Sequence, residues 1–390
     1  PGGCSTALFL AKEGIESLMI DKAVFPRDKI CGDALSGKVV EVFKKLDPSL
    51  VDRIALHPEA IDSWGVTFVA PNRKWLRVPF KNEFDKEKQQ SPGFIAKRLD
   101  FDNFLVEECR KHDEISIREG MTLNAFERVE GKWNCKTKEG ATIVADLVIA
   151  ADGAHSRFAK EVGKIAVEPK HYCAGLRAYY EGVEGLDNDN FIELHFIKDF
   201  LPGYFWIFPL PNGRANVGVG MRSDKVSQKK VNLKKQMLEL IANDPVLKER
   251  FKNAKLEGDV KGFGLPLGSK KRPISGEGFM LIGDAASLID PFTGEGIGNA
   301  LYSGMFAAEQ AARCLKANDF SAAFMAAYDQ ATYKRLWSEL KLSHRMQKLV
   351  NFPWLFNLVV NKARKNRTLS ETISCMFEDL DMRERLRSPM

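Results

Sequence analysis

The sequence predicts an α/β protein that combines a parallel sheet and its crossover helices with a separate antiparallel sheet and a C-terminal helical region. Short apolar strands followed by an acid or an Asp-Gly turn recur at 17–21, 147–153 and 279–284. Apolar and polar residues alternate between 172 and 221, as in strands with only one buried face. From Ala322 to Leu342, and again after Thr368, the pattern is helical. These three observations support this fold class.

The composition is that of a soluble globular protein. The chain has 390 residues, of which 44% are hydrophobic and 28% are charged, so two or three domains are possible. No run approaches the roughly 18 apolar residues that span a bilayer, and the first residues do not resemble a secretory signal. We therefore expect a cytoplasmic location.

Cysteine usage and net charge exclude several classes. The seven cysteines are odd in number and contain no Cys-x-x-Cys pair, which argues against a disulfide framework, a zinc site or an iron-sulfur cluster, so no metal is expected. The net charge of +6 is modest and does not indicate nucleic acid. It is compatible with an anionic membrane surface or a phosphorylated substrate.

The first residues are typical of the second half of a Rossmann-like, dinucleotide-binding β-α-β unit. Residues 1–14 have helical spacing, and the strand at 17–21 ends in Asp21, the acid that would bind an adenosine ribose. Gly3 fits the third glycine of Gly-x-Gly-x-x-Gly, although it could be an ordinary small residue in helix packing. The first strand and two glycines would precede Pro1, so we expect a fragment that lacks a short N-terminal piece.

The stretch 279–300 joins a strand to a long Ala-rich helix through a glycine-rich loop. Asp284 could accept hydrogen bonds from sugar hydroxyls, and the following helix N-terminus would stabilise negative charge on a flat ligand. A flavin is the ligand that this order suits, and a plain strand-turn-helix unit is the alternative. The predicted contacts are Gly283, Asp284, Pro291, Gly294, Gly296, Ile297 and Gly298.

Two further places could contact the same extended ligand. The run 147–151 reads as a fully buried strand, and Asp152-Gly153 then turns the chain into a helix that carries Ser156 and Arg157. Arg98 opens another amphipathic helix, where it could reach a pyrophosphate, although an arginine at such a position is usually a surface charge. Read alone, Asp152-Gly153 could equally be a tight turn with an N-cap.

Three other features each have an ordinary structural explanation as well as a functional one. Tyr204, Trp206 and Phe208 alternate along one strand, a pattern that indicates core more often than a ligand cavity. Cys31 is a lone cysteine, and most of these are buried small residues. The apolar segment 351–360 precedes basic residues and could rest on a membrane, but packing on the protein body is the more common arrangement.

On these motifs the chain resembles the geranylgeranyl reductase family of flavoproteins, which share the p-hydroxybenzoate hydroxylase-like FAD-binding fold. The resemblance extends over nearly the whole chain and implies FAD as cofactor. The segment 21–33, with Lys22, is similar to the family's stretch beside the flavin. Tyr-x-Trp-x-Phe-Pro at 204–209, followed by Gly218 and Gly220, is similar to its lipid-binding signature.

The resemblance implies the reduction of C=C bonds in an isoprenoid chain by hydride from reduced flavin. Tyr204, Trp206 and Phe208 would line the tunnel for that chain, and Cys31 would lie at the flavin end as a tentative catalytic residue. Positioning and water exclusion would then matter more than acid or base residues. The expected domains are FAD-binding at 1–56, 96–162 and 258–318, substrate-binding at 57–95 and 163–257, and helical at 319–390.

Two alternatives remain open at the level of sequence. A flavin monooxygenase or halogenase uses the same fold, and the FAD motifs do not separate it from a reductase. A non-catalytic, membrane-associated flavoprotein is the second alternative. The external electron donor is undetermined between NAD(P)H and ferredoxin, and peripheral contact with the inner face of a membrane is possible.

Overall fold

Strands and helices alternate through most of the chain in the computed structural model, which describes residues 1–80, 85–86, 89–366 and 369. The helices are α1 Gly2–Lys12, α2 Gly37–Leu46, α3 Ser49–Ala55, α4 Arg98–Cys109, α5 Arg157–Glu161, α6 Ser223–Lys229, α7 Leu233–Asn243, α8 Pro245–Arg250, α9 Ile297–Ala317, α10 Ala322–Leu349 and α11 Pro353–Ala363. The strands are β1 Ser17–Ile20, β2 Ala34–Leu35, β3 Ala60–Ser63, β4 Gly65–Val69, β5 Trp75–Pro79, β6 Gly93–Ala96, β7 Ile115–Arg118, β8 Leu123–Val129, β9 Lys132–Thr137, β10 Thr142–Ala145, β11 Val148–Ala150, β12 Tyr172–Glu181, β13 Ile192–His195, β14 Tyr204–Leu210, β15 Arg214–Arg222, β16 Lys255–Pro266, β17 Ser275–Gly276 and β18 Phe279–Leu281.

The largest sheet has the order β16-β12-β15-β14-β13-β4-β5. Its neighbours are antiparallel except for β13 and β4, which run parallel, so the predicted antiparallel sheet is confirmed with one parallel pair added. Strand β16 pairs with β12 from residue 255 to 266. The expected domain boundary after residue 257 therefore falls inside a strand of this sheet.

The other strands form small sheets. Two of these sheets contain the parallel pairs that are expected from the strands ending in an acid or in an Asp-Gly or Gly-Asp turn. Strand β1 pairs in parallel with β7, and β11 pairs in parallel with β18. Strands β8, β9 and β10 form an antiparallel meander whose turns contain Gly131 and Gly140, both with positive φ. Gly120 also turns the chain, but it does not close a hairpin because β7 pairs with β1 and not with β8.

Three sequence-based expectations need correction. The strand expected to be fully buried at 147–151 is only half-buried: within the described residues β11 pairs with β18 alone, and Ala151 is exposed. The sequence from Ala34 to Leu46 has a helical pattern, but α2 begins only at Gly37 because Ala34 and Leu35 pair with β6. Helix α10 continues to Leu349 instead of ending near residue 342. The helix expected after residue 368 lies outside the described residues.

Helix α9 lies at the centre of the core that it forms with α1, α2 and α4, in close contact with α1. Small residues allow this approach: a Cβ on Gly304 would lie 2.5 Å from the carbonyl oxygen of Gly2. The buried residues of α9 include Leu301 and Tyr302, which pack with apolar residues of α1, α2 and α4. This packing holds the N-terminus of α9, and the loop before it, at a defined place beside the large sheet.

Candidate functional site

A cavity lies where the loop between β18 and α9 meets the large sheet. Its volume is about 1210 Å³, part of which is open to solvent. One wall is the polar segment 29–36 with Arg98, a second is the start of α9, and the third is aromatic. The lining includes Cys31, Asp33, Arg98, Arg177, Tyr204, Trp206, Phe208, Asp284, Gly294, Gly296 and Ile297.

The loop before α9 is shaped by Asp290. Its Oδ1 accepts hydrogen bonds from the backbone N–H groups of Phe292 and Thr293 at 2.9 and 2.8 Å, and from the Thr293 hydroxyl at 3.0 Å. The chain then passes through Gly294 with φ +76°, where a Cβ would lie 2.9 Å from the Tyr204 hydroxyl oxygen. Glycine is therefore required here for both backbone conformation and space.

The start of α9 faces the cavity through Gly296 and Ile297. Backbone N–H groups at a helix start have no partner within the helix, so they are available to an anion. Glu295 Oε1 already accepts one of them, the N–H of Gly298, at 2.7 Å. A Cβ on Gly298 would lie 2.5 Å from the Cβ of Lys38, so this glycine allows close packing against α2, and its contact with a ligand stays a prediction.

A buried charge cluster fixes the loop from behind. The Lys38 ammonium lies 2.7 Å from Glu339 Oε2 in α10 and 3.8 Å from Glu295 Oε2. Burial disfavours the charged lysine, but the two carboxylates outweigh it and raise the pKa of Lys38. For the Glu295 carboxyl, burial acts in the opposite direction and raises the pKa. Gln347 of α10 also donates to the Pro291 carbonyl oxygen at 2.5 Å, so α10 holds both ends of the loop.

Asp284 and Gly283 lie at the end of β18, as the sequence predicts. Asp284 lines the cavity, and its Oδ2 forms an ion pair with the Lys29 ammonium at 2.9 Å. Gly283 has φ +56°, and a Cβ there would lie 2.8 Å from the Cβ of Ala300. The Gly-Asp turn thus brings a carboxylate into the cavity while α9 packs directly behind it.

The N-terminal candidates lie beside this cavity and not in its wall. Gly3 is in α1, with its Cβ position 3.3 Å from the Cβ of Ala151. The Asp21 carboxylate accepts the Ala23 N–H at 2.9 Å and lies 3.6 Å from Arg27. Lys22 is exposed. The ribose-binding role of Asp21 stays a prediction.

The second Asp-Gly joint has the features of a capped turn. Asp152 Oδ2 accepts the N–H of Arg157 at 3.1 Å, and the Ser156 hydroxyl caps α5 by accepting the Ala159 N–H at 2.8 Å. Gly153 has φ +80° and open space around its Cβ position. The cap that the sequence allows is therefore present, and the cofactor contact of this turn stays a prediction.

Arg98 is buried in the cavity wall instead of lying on the surface. Its guanidinium forms a two-point ion pair with Asp102, at 2.6 and 2.7 Å. Burial would lower the pKa of Arg98, but the Asp102 carboxylate outweighs it and the pKa is raised. The Cys31 thiol lies beside this guanidinium, and burial raises the pKa of the thiol so that it keeps its proton. The pyrophosphate contact of Arg98 stays a prediction.

Sequence reasoning missed a hydrogen-bonded cluster next to Cys31. The amide nitrogen of Asn216 donates to Asp33 Oδ2 at 2.7 Å and to the Cys31 carbonyl oxygen at 2.8 Å. The Tyr179 hydroxyl donates to the same Asp33 oxygen at 2.8 Å. Burial raises the pKa of the Asp33 carboxyl to about 6, although the hydrogen bonds from Asn216 and Tyr179 lower it. The sequence signal that could have identified this cluster was a polar asparagine, Asn216, inside the apolar run 215–221.

The aromatic wall is tied to the same cluster. Trp206 Nε1 donates to Asn216 Oδ1 at 2.9 Å. The side-chain amide of Asn216 is therefore hydrogen-bonded both to the aromatic strand and to the Cys31 carbonyl oxygen. Tyr204, Trp206 and Phe208 project from the cavity side of β14, while Phe205 and Ile207 enter the core on the opposite side. Trp206 and Phe208 are thus both core residues and cavity wall.

Gly218 and Gly220 lie opposite these rings in the register of β14 and β15. Trp206 is paired with Gly218, and Tyr204 with Gly220. A Cβ on Gly218 would lie 2.1 Å from Trp206 Cζ2, whereas one on Gly220 would lie 3.5 Å from the ring of Tyr204. The glycine at 218 therefore makes room for the indole.

The residues of this cavity fit FAD. Its wall combines an uncapped part of a helix start, a carboxylate at a strand end and a glycine with positive φ, which together suit a flat anionic ring and a sugar chain. Among the described residues, the cavity-lining Arg177 also has a buried Nε without a hydrogen-bond partner. Such atoms favour a ligand that supplies partners.

Comparisons with known proteins agree with this geometry. The family model of an FAD binding domain matches residues 1–319. A digeranylgeranylglycerophospholipid reductase of Thermoplasma volcanium is 30% identical over 342 residues, which are 86% of this chain and 81% of that protein. A geranylgeranyl bacteriochlorophyll reductase-like protein of Thermoplasma acidophilum superposes with TM-score 0.79 at 26% identity, covering 95% of this chain and 89% of that one.

A flavin-dependent brominase superposes with TM-score 0.76 at 21% identity, covering 97% of this chain and 92% of that one. At this identity the likeness concerns the fold alone. The fold, the cavity and the family match together define an FAD-dependent flavoprotein oxidoreductase. Within that class, the chain belongs to the geranylgeranyl reductase family.

Proposed function

We propose that the protein reduces C=C bonds in the geranylgeranyl-type chains of a lipid. The observation that carries this proposal is the aromatic wall of Tyr204, Trp206 and Phe208, which adjoins the polar end of the same cavity. An apolar polyprenyl chain would lie against these rings. The relative from Thermoplasma volcanium, named for a digeranylgeranylglycerophospholipid, supports a glycerophospholipid as the carrier of the chain.

FAD, when bound and reduced, supplies the hydride. Around it, Gly294, Gly296 and Ile297 would hold the ring edge, and Asp284 the sugar chain. The rigid loop and its packing against α10 keep these contacts in place and exclude water from the reacting carbons, which is the main contribution expected of the protein.

Cys31 is the residue proposed to hold the proton for the second carbon. Its thiol remains protonated because burial raises its pKa, and it lines the cavity beside Arg98. We propose that Cys31 either gives this proton or orients the alkene. The single-turnover rate of Cys31→Ala should fall by roughly 100-fold, in the range usual for general acid catalysis. An unchanged rate with unchanged FAD binding would refute the role.

The reaction itself is tested by anaerobic oxidation of the reduced holoenzyme. Addition of a digeranylgeranylglycerophospholipid should reoxidise the flavin without oxygen, and mass spectrometry should find the lipid heavier in steps of H2. Reoxidation that depends strictly on oxygen, with hydroxylation or halogenation of an aromatic compound, would instead support a monooxygenase or halogenase. A flavin that cycles with no change in any prenyl lipid would support a non-catalytic role.

The electron donor and the location belong to the same proposal. NAD(P)H or a ferredoxin would reduce the flavin, and rapid mixing of the oxidised holoenzyme with each donor distinguishes them. The protein would act at the inner face of a membrane as a peripheral protein. Among the described residues, no helix has the length and apolar character needed to cross a bilayer.

A further inference from the structure

Helix α11 has one buried face and one exposed apolar face. Phe356 and Val360 are 1% and 3% exposed and pack under the helix. Phe352, Trp354 and Leu358 point outward, with exposed fractions of 56%, 69% and 43%. Packing on the body, the more common explanation for this segment, thus accounts for only one side of the helix. A tryptophan that is two-thirds exposed needs a different explanation.

The tip of the β4–β5 hairpin extends this apolar surface. Trp75 is 52% exposed, and the Arg364 guanidinium lies 5.7 Å from its ring centroid. The N–H of Asn72 in the same hairpin donates to Asn357 Oδ1 of α11 at 3.2 Å, which joins the two elements. We call Trp75, Phe352, Trp354 and Leu358, with the basic residues around them, the docking face.

The charge around the docking face is of one sign. The segment 340–367 contains seven lysines and arginines and no acidic residue. Lys74, Lys362, Arg364 and Lys365 are exposed and line one shallow depression with Asn361 and Asn366. Among the described residues, none of these four basic side chains forms an ion pair. Unpaired cations beside exposed tryptophans are the combination that interfacial membrane segments use.

The inner face of α11 leads to the aromatic end of the cavity. The ring of Phe356 lies 4.7 Å from that of Phe196, centroid to centroid, and Phe196 lies 5.9 Å from Tyr204, which lines the cavity. Phe292, in the loop before α9, stacks on Phe196 at 5.4 Å. Helix α11 and the rings of Phe356 and Phe196 therefore lie between the docking face and Tyr204 of the cavity wall.

We infer that the docking face binds the surface of an anionic lipid bilayer, with the two tryptophans at the level of the headgroups and the basic residues on lipid phosphates. This inference deepens the proposed function, on which it rests for its biological meaning, by naming the surface that meets the membrane. The binding itself requires no turnover. It orients the aromatic end of the cavity toward the membrane, where an isoprenoid lipid resides.

The test is co-sedimentation of the FAD-loaded full chain with phosphatidylcholine vesicles, with and without phosphatidylglycerol. The wild type should bind the anionic vesicles and largely lose binding at high salt. Trp354→Ala should weaken binding roughly tenfold. The triple variant Lys362→Gln, Arg364→Gln, Lys365→Gln should weaken it on the order of 100-fold, because each surface cation contributes about a factor of five.

Matched controls come from other exposed positions. Leu56→Ala removes an apolar side chain that is 83% exposed. Lys234→Gln, Lys235→Gln and Lys248→Gln remove three exposed lysines from α7 and α8. Both controls should bind vesicles as the wild type does. All variants should keep their FAD content, their melting temperature and their turnover of a detergent-dispersed prenyl substrate.

Equal binding by the wild type and both docking-face variants would overturn the inference, as would no binding of the wild type to anionic vesicles. Competition by an acidic redox protein for the docking face, in the absence of vesicle binding, would also overturn it and assign the face to a protein partner. If vesicles bind as expected but no prenyl lipid is reduced, the proposed function fails while the docking stands.

Discussion

The two ends of the cavity are stabilised in different ways. At the polar end, Asp33, Asn216 and Tyr179 form directional hydrogen bonds of 2.7 to 2.8 Å, and Arg98 and Asp102 form a buried ion pair. At the aromatic end, Phe68, Phe196 and Phe292 stack with centroid distances of 5.4 and 5.9 Å. The polar end depends on hydrogen-bond and ion-pair partners, whereas the aromatic end depends on the fit of neighbouring rings.

This difference predicts different responses to substitution. A buried charge or hydrogen-bonding group that loses its partner costs the full desolvation of the remaining group. An apolar ring that is replaced by one of similar volume costs much less, since neighbouring rings adjust. The polar end should therefore tolerate fewer substitutions, and the aromatic end should be the part that varies when the substrate chain varies.

The largest effect is expected at the buried ion pair. Asp102→Asn keeps the shape of the side chain but leaves the Arg98 guanidinium, 2% exposed, without its carboxylate. The free energy of unfolding should fall by about 3 to 5 kcal/mol, as measured by urea denaturation. Glu107→Gln, in the exposed pair with Arg110, is the control and should cost about 1 kcal/mol or less. Similar losses in both variants would refute the comparison.

The next effect concerns the pH dependence of stability. The pKa of Asp33 is about 6 in the folded protein against an ordinary value of 3.8, so the folded state holds the extra proton between these values. The contribution of Asp33 to stability should therefore be most favourable below the lower value and become less favourable as the pH rises to about 6. The total loss would be roughly 3 kcal/mol, because one pKa unit corresponds to about 1.4 kcal/mol.

Asp33→Asn tests this titration, because asparagine tolerates the positive φ of +70° at this position. The groups facing Asp33 are Arg98, Arg177, Tyr179, Asn216 and the Cys31 thiol. The difference in melting temperature between wild type and variant should change with pH only between about 4 and 6. A constant difference across this interval would show that Asp33 does not titrate there.

The smallest of these effects lies at the aromatic end. Gly218→Ala places a Cβ against Trp206 and the Leu176 carbonyl oxygen, whereas Gly220→Ala meets Tyr204 at an ordinary contact distance. The first should cost about 1 to 3 kcal/mol and change the near-ultraviolet circular dichroism of the tryptophan, and the second about 0.5 kcal/mol or less. The comparison would fail if Gly220→Ala were the more damaging variant.

Local patterns were sufficient for much of the fold. The alternation of Tyr204, Trp206 and Phe208 correctly placed three rings on one side of a strand, and the strand-Gly-Asp pattern placed Asp284 at a strand end in the cavity. Both rest on periodicity, which short segments express by themselves. The burial of 147–151 was wrong because the number of neighbours of a strand is a property of the whole sheet.

The polar cluster illustrates what local patterns do not contain. Asp33 and Asn216 are 183 residues apart, and Asp33 and Tyr179 are 146 apart. Arg98 reads as a surface charge because it opens a helix, but the structure buries it together with its partner Asp102. Such contacts form only when distant strands and helices pack together.

The sequence by itself determined the α/β class, the antiparallel sheet, the FAD motifs and the identity of the aromatic strand, because each depends on the spacing of residue types within a short segment. The tertiary structure alone decided which polar groups surround Cys31, that Gly298 packs against Lys38, and that α11 exposes Trp354 beside exposed cations. Burial and pairing depend on the neighbours of a side chain, and the fold brings those neighbours from distant parts of the chain.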